Sequence, residues 1–139
     1  MITEYLHTFV VHMNVIVRRV ASQNNLSLSQ YFALTNISSS GISMSDLSSL
    51  LGVDNSTLTR NINILMKRDL VKKNQSNEDK RGYTITLSAK GSSIVQSLES
   101  QIESILDDFI DSVDPGIKQN FIDIIETVNW KASCFINEL

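Results

Sequence analysis

The sequence predicts a mainly α-helical chain with one small β-hairpin, on three observations. Two short helical segments, each opened by a capping residue, are joined through Gly52. Two strand-like runs, "LVKKNQ" and "YTITL", follow at once around a polar tip. Both ends of the chain carry long apolar stripes at helical spacing, whereas strands would show a period of two. With 139 residues, one Pro and five Gly, the chain fits a single domain, 1–139, of long helices and few loops.

Each element has its own signal. Leu6, Phe9, Val10, Met13, Val17 and Val20 recur at helical spacing, so residues 3–22 read as one amphipathic helix, ended by Asn24 and Asn25. In "SLSQYFALTNI", Ser27 and Gln30 form a capping box for a second helix running to about residue 38. After Gly41 comes a short β-like "IS". Ser43 then opens "SMSDLSSLLG", with Asp46 three residues on, Leu47, Leu50 and Leu51 inward, and a stop at Gly52.

Asp54 caps the next helix, which places Leu58, Ile62 and Leu65 on a buried face. Ser56, Thr59, Arg60 and Asn63 fall together on the opposite face. Two short helices joined by a Gly-containing turn, the second with a small polar outer stripe, form a helix-turn-helix. Such side chains let a helix lie in a DNA major groove, where Asn can read adenine and Arg guanine; a polar solvated face would look the same. Asn55 and Thr57, in the first turn, complete the candidate set on this helix.

In the hairpin, Tyr83, Ile85 and Leu87 alternate with Thr84 and Thr86, and Lys72 and Lys73 are candidate DNA contacts on the first strand. The tip holds Asp79, Lys80 and Arg81, placed to reach a neighbouring minor groove. The fold class is therefore a winged helix-turn-helix, about residues 27–90, flanked by N- and C-terminal dimerisation helices, about 1–24 and 91–139. Ser88 caps a long helix striped by Ile94, Val95, Leu98, Ile102, Ile105, Leu106 and Phe109. "DPG" breaks it, with Asp114 as the next cap and Pro115 at the first helical position, and the last helix runs to Ile136. The apolar surplus of the first and last helices predicts a homodimer.

Charge is polarised. The net value is −3, but residues 54–90 hold eight basic against four acidic side chains, +4, while the rest holds four against eleven, −7. A local basic patch attracts phosphates even when the total is acidic. Single Cys134 cannot form an intramolecular disulfide and fits a reducing compartment; beside Phe135 it reads as a small packing residue. Neither a signal peptide nor a membrane span is indicated, so the expected location is cytoplasmic, with no membrane partner. His7 and His12 lie about 140° apart on a helix, too far round to share a metal. Asp107, Asp108 and Asp111 read as a solvated helix face. No catalytic constellation, metal site or cofactor loop is visible, so no enzyme and no cofactor are expected.

The order of elements and three stretches, "LSLSQYFAL", "LSSLLGVDNSTLTRNINILMKRDLVKK" and "NEDKRGYTITLSAKG", resemble the MarR family of bacterial transcription regulators. Asp79, Lys80 and Arg81 match that family's Asp-x-Arg wing signature. The resemblance implies a homodimer on a roughly palindromic double-stranded operator, its reading helices in successive major grooves, Arg81 in the flanking minor groove and Asp79 orienting Arg81. It also implies a repressor responsive to a small aromatic or anionic effector bound between the dimer helices and the wing domain. One departure concerns the reading helix. Arg60 is the only base in its first two turns, so the family's sequence preference does not carry over. The alternative is a winged-helix protein-interaction module that binds no DNA.

Overall fold

Capping chemistry sets where the helices begin. In the computed structural model, which describes residues 1–75, 82–114, 116–136 and 138, the order is α1 (Ile2–Gln23), α2 (Leu28–Thr35), β1 (Ile42–Ser43), α3 (Met44–Leu51), α4 (Asn55–Lys67), β2 (Val71–Gln75), β3 (Tyr83–Leu87), α5 (Ala89–Val113) and α6 (Ile117–Ile136). This is the winged helix-turn-helix order read from the sequence. At the start of α2, Ser27 Oγ accepts the Gln30 N–H at 3.2 Å and Gln30 Oε1 accepts the Ser27 N–H at 3.1 Å, so the capping box forms in both directions. Ser43 caps α3 by accepting the Asp46 N–H at 3.0 Å.

The helix ends differ from expectation at two places. α2 stops at Thr35, short of residue 38, because the chain turns at Asn36, whose side-chain amide donates to the Phe32 carbonyl at 2.8 Å, and Ile37 drops into the core. In α3, Leu47 is fully buried but Leu50 is 61% exposed, contrary to its expected inward placement. At 100° per residue Leu50 lies about 60° to one side of Leu47, and Leu51, about 40° to the other, keeps the partial burial. Gly52 ends α3 in the left-handed region, with φ 63°, which an L side chain adopts only under strain.

The wing has three strands rather than two. β1 pairs with β3, Ile42 opposite Ile85, and β3 pairs with β2 from Val71 opposite Leu87 to Gln75 opposite Tyr83, all antiparallel. The "IS" dipeptide thus closes the open edge of β3.

Two compact units divide the chain, Met1–Ile102 and Glu103–Leu139. The first encloses a core of Val20 and Ala21 from α1, Tyr31 and Leu34 from α2, Leu47 from α3, Leu58, Ile62 and Leu65 from α4, Leu70 and Ile85 from the wing, and Leu98 from α5. Each fully buried Leu or Ile contributes about 1.5–3 kcal/mol through its removal from water. The start of α5 is locked onto the α4–β2 corner. Ser88 Oγ donates to the Asp69 carbonyl at 2.5 Å and accepts the Gly91 N–H at 2.9 Å, Ser88 N–H donates to the Leu70 carbonyl at 3.0 Å, and Lys90 Nζ donates to the Arg68 carbonyl at 3.0 Å. A Cβ at Gly91 would run into the Leu70 carbonyl oxygen and stand 2.9 Å from its carbon, so only glycine permits this approach.

In the second unit Asp107 pairs with Lys118 at 2.6 Å, so it is bonded rather than merely solvated. Asp114 accepts the Gly116 N–H at 2.7 Å; Pro115, the expected first helical residue, lies outside the described residues. Cys134 is exposed, not packed. No helix among the described residues is long and apolar enough to cross a membrane.

Candidate nucleic-acid interface

The first turn of α4 is held by one carboxylate. Asp54 Oδ1 accepts the Thr57 N–H at 2.7 Å and the Ser56 hydroxyl at 2.6 Å, and Oδ2 accepts the Thr57 hydroxyl at 3.0 Å. The Ser56 hydroxyl, then the Thr57 N–H and hydroxyl, stabilise the charged form and lower the carboxyl to about 2. With Leu58, Ile62 and Leu65 pinned in the core, the rotation of α4 is fixed. Its outward side is therefore fixed too.

That side brings together Asn55, Ser56, Thr59, Arg60 and Asn63, all exposed, around a shallow open concavity of about 560 Å³. Ile64 and Lys67 complete it, and the sequence reading omitted both. The signal was available, since Ile64 follows Arg60 and Lys67 follows Asn63 by one helical turn. Thr57 does not join the stripe; it is half-buried, and its hydroxyl is committed to Asp54. The surface thus offers one guanidinium, one ammonium, two amides and the Thr59 hydroxyl on a single helix face, donors and acceptors of the kind that read base edges and phosphates. The Ser56 hydroxyl, exposed on the same face, donates to Asp54 and keeps only its acceptor side.

The wing distributes its lysines. Lys72 and Lys73 are exposed neighbours on β2 and so point to opposite faces of the hairpin. Lys73 Nζ sits 4.1 Å from the centre of the Tyr83 ring, across the hairpin, in a cation–π contact. Asp79, Lys80 and Arg81 lie outside the described residues. Two cations counted in the basic stretch serve the fold instead. Arg68 donates to the Asn25 carbonyl at 2.6 Å and the Asn24 carbonyl at 3.1 Å, closing the α1–α2 connection, and Lys90 holds the α5 start. Among the described residues no group of three or more His, Cys, Asp or Glu could hold a metal ion.

Residues 26–83, from the α1–α2 connection to the start of β3, match the family model of MarR. Over this segment the chain is similar to the MarR family. Its winged helix-turn-helix is also the fold of solved MarR structures. All of the chain matches 95% of a crystal structure of MarR with a TM-score of 0.86 at 19% identity. Coverage is 99% of this chain and 90% of the other for a MarR protein from Peptoclostridium difficile DA00132, with a TM-score of 0.79 at 25% identity. A cysteine-to-serine mutant of MarR from E. coli, complexed with operator DNA, covers 91% of each chain with a TM-score of 0.71 at 18% identity. No curated protein matches the chain.

Proposed function

We propose that the chain is a homodimeric, sequence-specific transcription regulator of the cytoplasm, acting as a repressor on a roughly palindromic double-stranded operator and responsive to a small aromatic or anionic effector. The observation that carries the reading is the outer stripe of α4, where Asn55, Ser56, Thr59, Arg60, Asn63 and Lys67 share one exposed face over a fully buried inner one. In this reading α4 enters the major groove, Arg60 and Asn63 reach base edges, and Lys67 and Lys72 meet phosphates. Arg81, oriented by Asp79 and flanked by Lys80, enters the minor groove. The similarity to a MarR structure complexed with operator DNA supports this placement.

Dimerisation is supported by apolar side chains that the single chain leaves in water. On α1, Ile2, Tyr5, Leu6 and Val11 are each more than half exposed, and on α6 so are Ile124, Val128, Trp130 and Phe135. Apolar exposure on this scale marks an interface rather than an ordinary surface. Effector response rests on the family resemblance.

The test is duplex affinity by fluorescence anisotropy at several salt concentrations, on fragments selected from genomic DNA by the protein itself. Arg60→Ala is expected to cost about 1–3 kcal/mol and to relax preference at one base pair, whereas Lys67→Ala weakens all sequences alike and lowers the salt slope by about one. Arg68→Ala is the control. Its guanidinium is spent inside the fold, so affinity should stay at the parent value. Parent-like affinity for Arg60→Ala would remove the reading helix from the interface and favour a protein-docking module.

A further inference from the structure

The side of α4 away from the polar stripe lines a second concavity, which the operator reading does not use. It lies between α2, α3 and α4 and encloses about 420 Å³, within the roughly 300–1,000 Å³ range of small-molecule sites. Its walls are mostly apolar, with Ser29, Asn36 and Asn61 as the polar members. Leu28 and Phe32 come from α2, Leu50 and Leu51 from α3, Val53 from the turn and Leu58 from α4. The Phe32 ring stands edge-on to Tyr31, with centroids 5.4 Å apart and planes at 82°, so this wall is a positioned aromatic rather than a loose one.

Set among these side chains is Asn61. It is only 9% exposed, it lines the concavity, and its amide makes no hydrogen bond among the described residues. Buried amides are nearly always partnered, because losing water without replacing its hydrogen bonds is costly. No side-chain polar atom among the described residues is both sealed from solvent and unpartnered, so the Asn61 amide retains its access through the groove it lines. The second amide at the site, Asn36, spends its N–H on the Phe32 carbonyl and keeps its carbonyl oxygen as an acceptor. No charged side chain lines the groove. An anion or cation entering it would lose hydration and gain no ion pair.

We propose that this groove is a binding site for a small uncharged ring compound bearing a carboxamide-type donor–acceptor pair, the ring lying against Phe32, Leu50 and Leu58 and the amide pairing with Asn61. The site and the charge of its ligand both differ from the anionic effector suggested by family resemblance. Leu58 and Asn61 lie on the reading helix itself, so occupancy would bias the helix that carries Arg60 and Asn63; that coupling, unlike the binding, rests on the operator reading.

The experiment is taken without DNA, so that its failure is separable from failure of the operator reading. Benzamide and its charged isostere benzoate are titrated into the ¹⁵N-labelled full chain and followed by NMR. The expected result is saturable shifts of the Asn61 side-chain amide and of the Phe32, Leu50 and Val53 signals with benzamide, and at least tenfold weaker binding of benzoate. Asn61→Leu is expected to lose at least tenfold in benzamide affinity. Leu50→Glu, a change at an exposed position on the groove wall, should do the same and decides the matter if Asn61→Leu does not fold. No saturable shift up to the solubility limit of benzamide overturns the proposal. So do equal affinity for benzoate, shifts that map elsewhere, or unchanged binding in a folded variant.

Discussion

Asp54 stands at the mouth of a surface read as phosphate-seeking, where a free carboxylate would repel DNA. The structure turns its charge inward along the helix start, onto the Thr57 N–H and the hydroxyls of Ser56 and Thr57. The consequence is a pH signature. The carboxyl sits at about 2 in the folded chain against an ordinary 3.8. A carboxyl depressed by folding stabilises the native state above its unfolded value, and that contribution is lost as pH falls from about 4 towards 2. Asp54→Asn, which can still cap but cannot titrate, is therefore expected to show a shallower fall in melting temperature over that window. Parallel profiles for the two proteins would mean that the hydroxyl bonds do not hold in solution. The cap itself was legible, because Asp directly before an apolar helical repeat is a start signal. The commitment of Thr57 was not, since periodicity places side chains on faces without saying which hydroxyl folds back. The same limit explains Arg68. It read as one more surface cation, whereas its partners are carbonyls more than forty residues earlier in the chain.

Among the elements, the junction of the wing with α5 is the most constrained. Two side chains, Ser88 and Lys90, bond the carbonyls of Asp69 and Arg68, and the backbone of Gly91 lies against that of Leu70. Gly91→Ala would push a methyl group into backbone that has no rotamer to yield, so it is expected to cost about 1–3 kcal/mol despite adding a better helix former. Urea denaturation checks this, and stability at or above that of the parent would show that the corner relaxes. The cap at Ser88 was legible from the sequence, whereas the role of Gly91 was not. A glycine inside a helical pattern signals close approach without naming what approaches. The "IS" dipeptide was legible as β-like, but its pairing with β3 was not, because the partner Ile85 lies more than forty residues further on. The outward turn of Leu50 escaped because helical spacing does not say which side of Leu47 the rest of the fold covers.

For the molecule as a whole, the apolar stripes of the terminal helices were legible as positions but not as contacts. Val20 and Ala21 serve the core of the first unit, while the first half of α1 buries nothing, and α6 has no buried side chain among its described residues. If a second copy covers these faces, sedimentation at micromolar concentration gives about twice the chain mass of 15.6 kDa. Leu6→Glu, placing a charge on the exposed part of α1, is then expected to shift the protein towards monomer. A parent protein that sediments as a monomer would contradict the dimer and, with it, a two-fold operator.

The corner at Ser88 also bears on how amide protons leave the chain. The first N–H groups of a helix ordinarily have no carbonyl partner within it and trade their hydrogens with water quickly. At the head of α5, Ser88 N–H is held by the Leu70 carbonyl, Gly91 N–H by the Ser88 hydroxyl and Ser92 N–H by the Ser88 carbonyl. Deuterium uptake at Ser88, Gly91 and Ser92 is expected to lag that at Asn55 and Ser56 in the first turn of α4, making one end of the longest helix among the slowest local openings in the first unit.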